Sequence, residues 1–127
     1  MNDNKKPTVL VVEDDLRLLR IYAAKLSDQG WEVLTAADGE IGSTLAREKL
    51  PDVLLLDLML PKKDGFGVLA DLQKDEKART RVKVLILSQL GQQTNIDRGK
   101  EMGAKEYMVK ADVSLDAIVQ KVKTYLP

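Results

Sequence analysis

At 127 residues, with 44% hydrophobic and 31% charged side chains, the chain suits one folded domain, being neither disordered in composition nor long enough for two ordinary domains. Its 20 basic and 20 acidic residues cancel, so no net field holds it on nucleic acid or on an anionic membrane, and direct binding to either is not expected. Cys and His are both absent, which removes disulfides, thiolate nucleophiles and imidazole chemistry, and leaves a metal site only oxygen ligands suited to a hard cation.

The polar opening MNDNKKP carries no apolar signal core, and no later apolar run reaches the length of a membrane span. A flexible tail over 1–7, one domain over 8–127, a cytoplasmic location and no membrane insertion are therefore expected. TVLVV (8–12) then reads as a strand, followed by a helix on Leu16, Leu19, Tyr22, Ala23 and Leu26. WEVLTA (31–36), VLLLD (53–57), VKVLIL (82–87) and EYMV (106–109) read as further strands by length and β-branching. Phe66, Leu69 and Leu72 repeat at helical spacing, as do Leu115, Ile118, Val119, Val122 and Leu126, with Ser114 as N-cap. Gln92–Met102 is the weakest helix, because Ile96 and Met102 are nearly its only large apolar residues. Strands that are apolar on both faces and alternate with helices predict an α/β fold with a parallel sheet covered on each side.

In such sheets ligands bind beyond the carboxyl ends of the strands. Four of the five strands end in a polar group there: Glu13 and Asp14, then Asp57, Ser88 and Lys110. Asp57 closes the run VLLLD, where an unpartnered buried carboxylate is costly. Three carboxylates at one rim repel, by roughly 3 kcal/mol per pair at about 5 Å and an effective dielectric near 20, so an empty site is expected to be strained. Magnesium relieves that strain with Asp14 and Asp57 as direct ligands and Glu13 through water. Lys110 and Ser88 supply the ammonium and hydroxyl wanted around phosphoryl oxygens, and Asp57 the nucleophile. A phosphatase with an Asp nucleophile wants a second Asp two residues on, where Met59 stands; a nucleotide-binding fold wants a Gly-rich loop where VVEDDLR is acidic. Asp15 reads as an N-cap, Asp64 and Gly65 as turn and helix-start residues, and Lys62 and Lys63 as solvated.

Four motifs in order, the acidic pair of VLVVEDD, the acceptor of LLLDLMLPKKDG, the hydroxyl of VLILSQ and the aromatic and lysine of GAKEYMVK, resemble the receiver domain of two-component response regulators over nearly the whole chain. The resemblance implies a flavodoxin-like, doubly wound five-stranded parallel sheet of order 2-1-3-4-5 with five helices. It implies Asp57 as phosphoacceptor; Glu13, Asp14, Asp57 and the Met59 carbonyl at Mg2+ or Mn2+; and Ser88 and Lys110 on the phosphoryl group. Ser88 and Tyr107 then couple phosphorylation to the surface of the fourth helix, fifth strand and fifth helix, where a downstream protein docks. A histidine kinase or histidine phosphotransfer protein is the implied donor, since this chain has no His. The expected function is that of a single-domain response regulator or phosphorelay intermediate acting by contact, a phosphoacceptor signalling protein and not an enzyme with turnover. The alternative is a pseudo-receiver that binds protein and is never phosphorylated. Two departures stand out: Ala111 replaces the proline whose cis peptide usually follows the lysine, and Gln89 occupies a position that is commonly small.

Overall fold

The computed structural model describes residues 5–127. The expected tail over 1–7 lies outside them for 1–4, and its last residue is tied down, the Pro7 carbonyl accepting the Glu32 N–H at 2.9 Å. The elements in order are β1 (Thr8–Val12), α1 (Leu16–Ser27), β2 (Glu32–Ala36), α2 (Gly39–Lys49), β3 (Val53–Leu56), α3 (Gly65–Lys74), α4 (Glu76–Arg81), β4 (Lys83–Ser88), α5 (Gln93–Glu101), β5 (Glu106–Val109) and α6 (Leu115–Tyr125), with a 3-10 turn over Lys110–Asp112. The five strands pair in parallel in the order β2-β1-β3-β4-β5, as expected.

Alternate strand residues build two separate cores. Leu10, Val12, Leu54, Leu56, Val84 and Ile86 face α2, α3 and α4, whereas Val9, Val11, Val53, Leu55, Leu85 and Leu87 face α1 and α6. At about 1.5–3 kcal/mol for each large aliphatic side chain buried, this double burial outweighs any local preference of the central strands.

Among the described residues there are six α-helices, not five. Asp75 adopts an extended conformation that ends α3, and its carboxylate accepts the Ala78 N–H to cap α4. α4 buries only Ala78, too little apolar pattern to be read as a helix from the chain. The helices expected as fourth and fifth are thus α5 and α6. α5 is weakly anchored, as its composition predicts: Gly99 is its one buried residue and Gln92 makes no side-chain cap.

α6 is tied to β5 by a polar contact, the Tyr125 hydroxyl donating to Glu106 at 2.5 Å while Lys121 sits 3.3 Å from the same carboxylate. The hydroxyl, more than the lysine, holds the Glu106 carboxyl below its ordinary range. A depressed carboxyl contributes stability that is complete above its unfolded pKa and lost as pH falls through the folded value. Tyr125→Phe is therefore expected to cost about 1 kcal/mol at neutral pH, and to match wild type in denaturant melts once Glu106 is protonated.

Candidate functional site

The sheet register delivers the polar groups to one rim. Val12 is level with Leu56, and Leu56 with Ile86, so Glu13 and Asp57 leave adjacent strands side by side. Two hydrogen bonds extend the ladders past the strands: Asp57 N–H to the Val12 carbonyl and Glu13 N–H to the Ala36 carbonyl, each 3.1 Å. Ser88 is level with Val109, which puts Lys110 at the edge of the same cleft. The cleft, of about 560 Å³, is lined by Glu13, Asp14, Asp57, Met59 and Lys110, with Leu18, Leu58, Phe66, Gln89 and Leu90 around them.

Carboxylate oxygens of Glu13, Asp14 and Asp57 lie within 4.8 Å of one another. Asp14 is exposed, while Glu13 and Asp57 are almost wholly buried. Their charges are partly offset by one ammonium: Lys110 Nζ donates to Glu13 Oε1 at 2.6 Å and to Asp57 Oδ2 at 3.0 Å. Burial raises the Glu13 pKa despite that contact. Burial works against the Lys110 charge too, but the hydrogen bond to Glu13 and the field of Asp57 outweigh it and raise the Lys110 pKa. A lysine expected on the phosphoryl group thus bridges two of the three carboxylates in the resting site. No cis peptide occurs among the described residues, so the Lys110–Ala111 bond is trans and the ammonium still reaches Asp57.

Three oxygen donors of this kind, open to solvent on one side, fit a hard divalent cation. Met59 sits at the rim, half exposed, and its N–H lies 3.3 Å from Asp57 Oδ1. Ser88 and Tyr107 are placed differently. Ser88 is fully buried beneath the rim, and does not line the cleft; its hydroxyl accepts the Leu90 N–H at 3.2 Å. The Tyr107 hydroxyl donates to the Leu90 carbonyl, so both side chains hold the same residue by its two backbone groups. Burial raises the Tyr107 pKa, keeping the hydroxyl a donor.

Asp15 caps α1, accepting from Arg17 and Leu18 N–H, and Ser114 caps α6, as read from the chain, while Asp64, read as a turn or helix-start residue, caps α3. Lys62 and Lys63 are not simply solvated. Lys62 Nζ lies 3.8 Å from Asp38, and Lys63 is paired with Asp71. Phe66 was legible only as a core residue, yet it lines the cleft while Arg98 of α5 stacks 3.9 Å from its ring centroid. No sequence spacing links a residue of α3 to one of α5.

The family model for the response regulator receiver domain matches residues 9–123. The chain belongs to the response regulator receiver family. Among solved structures, the receiver resembles that of the Francisella response regulator 1452 receiver domain, with a TM-score of 0.85 and 30% identity over 94% of this chain and 95% of that one. It resembles the Vibrio cholerae chemotaxis protein CheY4 at 25% identity and a TM-score of 0.86, over 95% of this chain and 99% of that one. Among curated relatives it is 40% identical to the probable transcriptional regulator ycf27 of Cyanophora paradoxa, over 87% of this chain and 44% of that protein. It is 38% identical to the DNA-binding dual master transcriptional regulator RpaA of Synechocystis, over 82% of this chain and 43% of that protein. The receiver thus spans less than half the length of these curated relatives.

Proposed function

We propose that this receiver accepts a phosphoryl group on Asp57 from a phosphohistidine donor and uses it to switch a protein-binding surface. The observation that carries the reading is a buried Asp57 at a strand end, with Lys110 Nζ 3.0 Å from one carboxylate oxygen and two further carboxylates within 4.8 Å. Glu13, Asp14, Asp57 and the Met59 carbonyl would hold Mg2+ or Mn2+. Such a cation, when bound, neutralises charge on phosphoryl oxygens. A lone pair of the Asp57 carboxylate forms the new P–O bond as the donor's P–N bond breaks, and the imidazole leaves with the bonding pair and takes up a proton. Lys110 moves its ammonium from the free Asp57 oxygen to a phosphoryl oxygen while keeping Glu13. Ser88 accepts the Leu90 N–H, and Leu90 is also where Tyr107 is held, so turning the Ser88 hydroxyl toward the phosphoryl group would alter the hold on Leu90. That shared residue is the route by which the acceptor biases the face of α5, β5 and α6, where a downstream protein docks.

The donor is a histidine kinase or histidine phosphotransfer protein, and the receiver meets it in the cytoplasm. Among the described residues no helix is long and apolar enough to cross a membrane. With 20 basic against 20 acidic residues, the receiver itself lacks a field for nucleic acid. In relatives named as transcriptional regulators, more than half of the length lies outside the match. Intact mass after incubation with a small phosphodonor tests the reading: one added phosphoryl group that requires magnesium supports it, and no labelling under any condition favours the pseudo-receiver.

The rim also sets the lifetime of the product. Met59 and Leu90 flank the cleft with apolar side chains that cannot orient an attacking water. Slow self-dephosphorylation is expected, and Met59→Asn should speed it about tenfold, a barrier change of roughly 1.4 kcal/mol. Decay measured after donor removal, with magnesium present, checks this; equal rates would show that water access past Met59 is not limiting.

A further inference from the structure

The loop over 58–65 carries the chain from the acceptor Asp57 into α3, and is closed at its base by the Gly65 N–H on the Leu58 carbonyl at 2.8 Å. Within it Lys62 has φ 69°, the left-handed region, where a lysine persists only when its surroundings over-determine it. Those surroundings converge on Lys63. Its carbonyl passes α2 so closely that a Cβ on Gly39 would lie 1.7 Å from it, and its stem passes α3 so closely that a Cβ on Gly67 would lie 2.8 Å from its Cγ. The Lys63 ammonium pairs with Asp71 of α3, and the same Asp71 oxygen accepts the hydroxyl of fully buried Ser43 of α2 at 2.7 Å. Arg47, one turn along α2, donates from Nε to the Ser43 carbonyl at 3.2 Å.

Ser43 and Asp71 alone would tie α2 to α3. Lys63 adds the loop to that tie, and the same loop holds Met59, whose backbone faces the acceptor. We propose that Lys63, Asp71 and Ser43 are positioning residues that pin the loop over 58–65 in its strained conformation and thereby set the metal affinity of the acceptor site. The proposal rests on the function argued above. A loop released from the pin populates the ligating conformation for only part of the time, and apparent affinity falls by that fraction.

The experiment uses the full chain as wild type, Lys63→Met, Asp71→Asn, the double variant, Lys63→Arg, and Lys25→Met, which breaks the unrelated α1–α6 pair of Lys25 with Asp116. Magnesium dissociation constants come from calorimetry, and loop order from hydrogen exchange across 58–65. Lys63→Met and Asp71→Asn should each weaken magnesium about tenfold, the scale of supporting contacts around a metal. The double variant should lose no more than either single one, because both break one contact. Loop exchange should quicken in all three, Lys63→Arg should restore both readouts, and Lys25→Met should move neither. Unchanged loop exchange with only a lower melting midpoint would overturn the proposal, leaving Asp71 as a helix-to-helix tie; additive losses in the double variant would overturn the shared network. If wild type neither binds magnesium nor takes a phosphoryl group, the proposed function and the claim on metal affinity fall together, while loop exchange still decides whether the pin exists.

Discussion

Asp57→Asn is expected to take up no phosphoryl group. With magnesium and excess small phosphodonor, its intact mass should stay at the unmodified value while wild type gains one phosphoryl group per chain. The amide has no anionic oxygen to form the P–O bond, and the neighbouring carboxylates are poor substitutes. Glu13 is buried and held by Lys110 at 2.6 Å, and Asp14 is exposed, with no ammonium paired to it among the described residues. A loss of about a thousandfold or more in labelling rate, about 4 kcal/mol of barrier, is the expected scale. Labelling that persists in the variant, or that ignores a chelator, would contradict both the acceptor and its metal.

Lys110→Met should be the variant that most destabilises the metal-free protein. It leaves Glu13 and Asp57 at 3% and 6% side-chain exposure without the cation they share. Removing one partner from a buried ionic cluster costs about 3 kcal/mol. Because the carboxylates raise the Lys110 pKa, its contribution is complete at neutral pH, and is lost only as pH rises past the free-lysine value through the folded one. Glu13, already raised by burial, should be the carboxyl that takes up a proton to limit the damage. Magnesium should then recover more stability in Lys110→Met than in wild type, since it replaces a missing charge. Denaturant melts in chelator and in magnesium check both halves. A variant as stable as wild type in chelator would mean that the ammonium is not what offsets the carboxylate repulsion.

The two substitutions separate what each link of the chain supplies. Asp57 and the acidic pair were legible because each closes an apolar strand, and a parallel sheet puts such ends on one rim. Lys110 was legible as a member of the site but not in its resting role. Its two carboxylate partners lie 97 and 53 residues away in the chain, and only β5 docking beside β4 fixes the reach. The trans peptide before Ala111 shows the same limit, since the missing proline changed the bond without moving the ammonium out of range.

Composition, hydropathy pattern and cap residues by themselves determined the number of strands, their parallel arrangement, the weak α5, and the caps at Asp15 and Ser114, while the strand order followed from the family resemblance. These follow from local physics: a strand buried on both faces must be apolar along its length, and a helix start needs a side-chain acceptor for free N–H groups. The break at Asp75, the burial of Ser88 under Leu90 and the capture of Lys63 by Asp71 were decided by tertiary structure alone. Each depends on which polar group meets which across the packed elements. A lysine in a loop is solvated by default, and becomes a structural contact only when two helices bring a carboxylate and a buried hydroxyl within its reach.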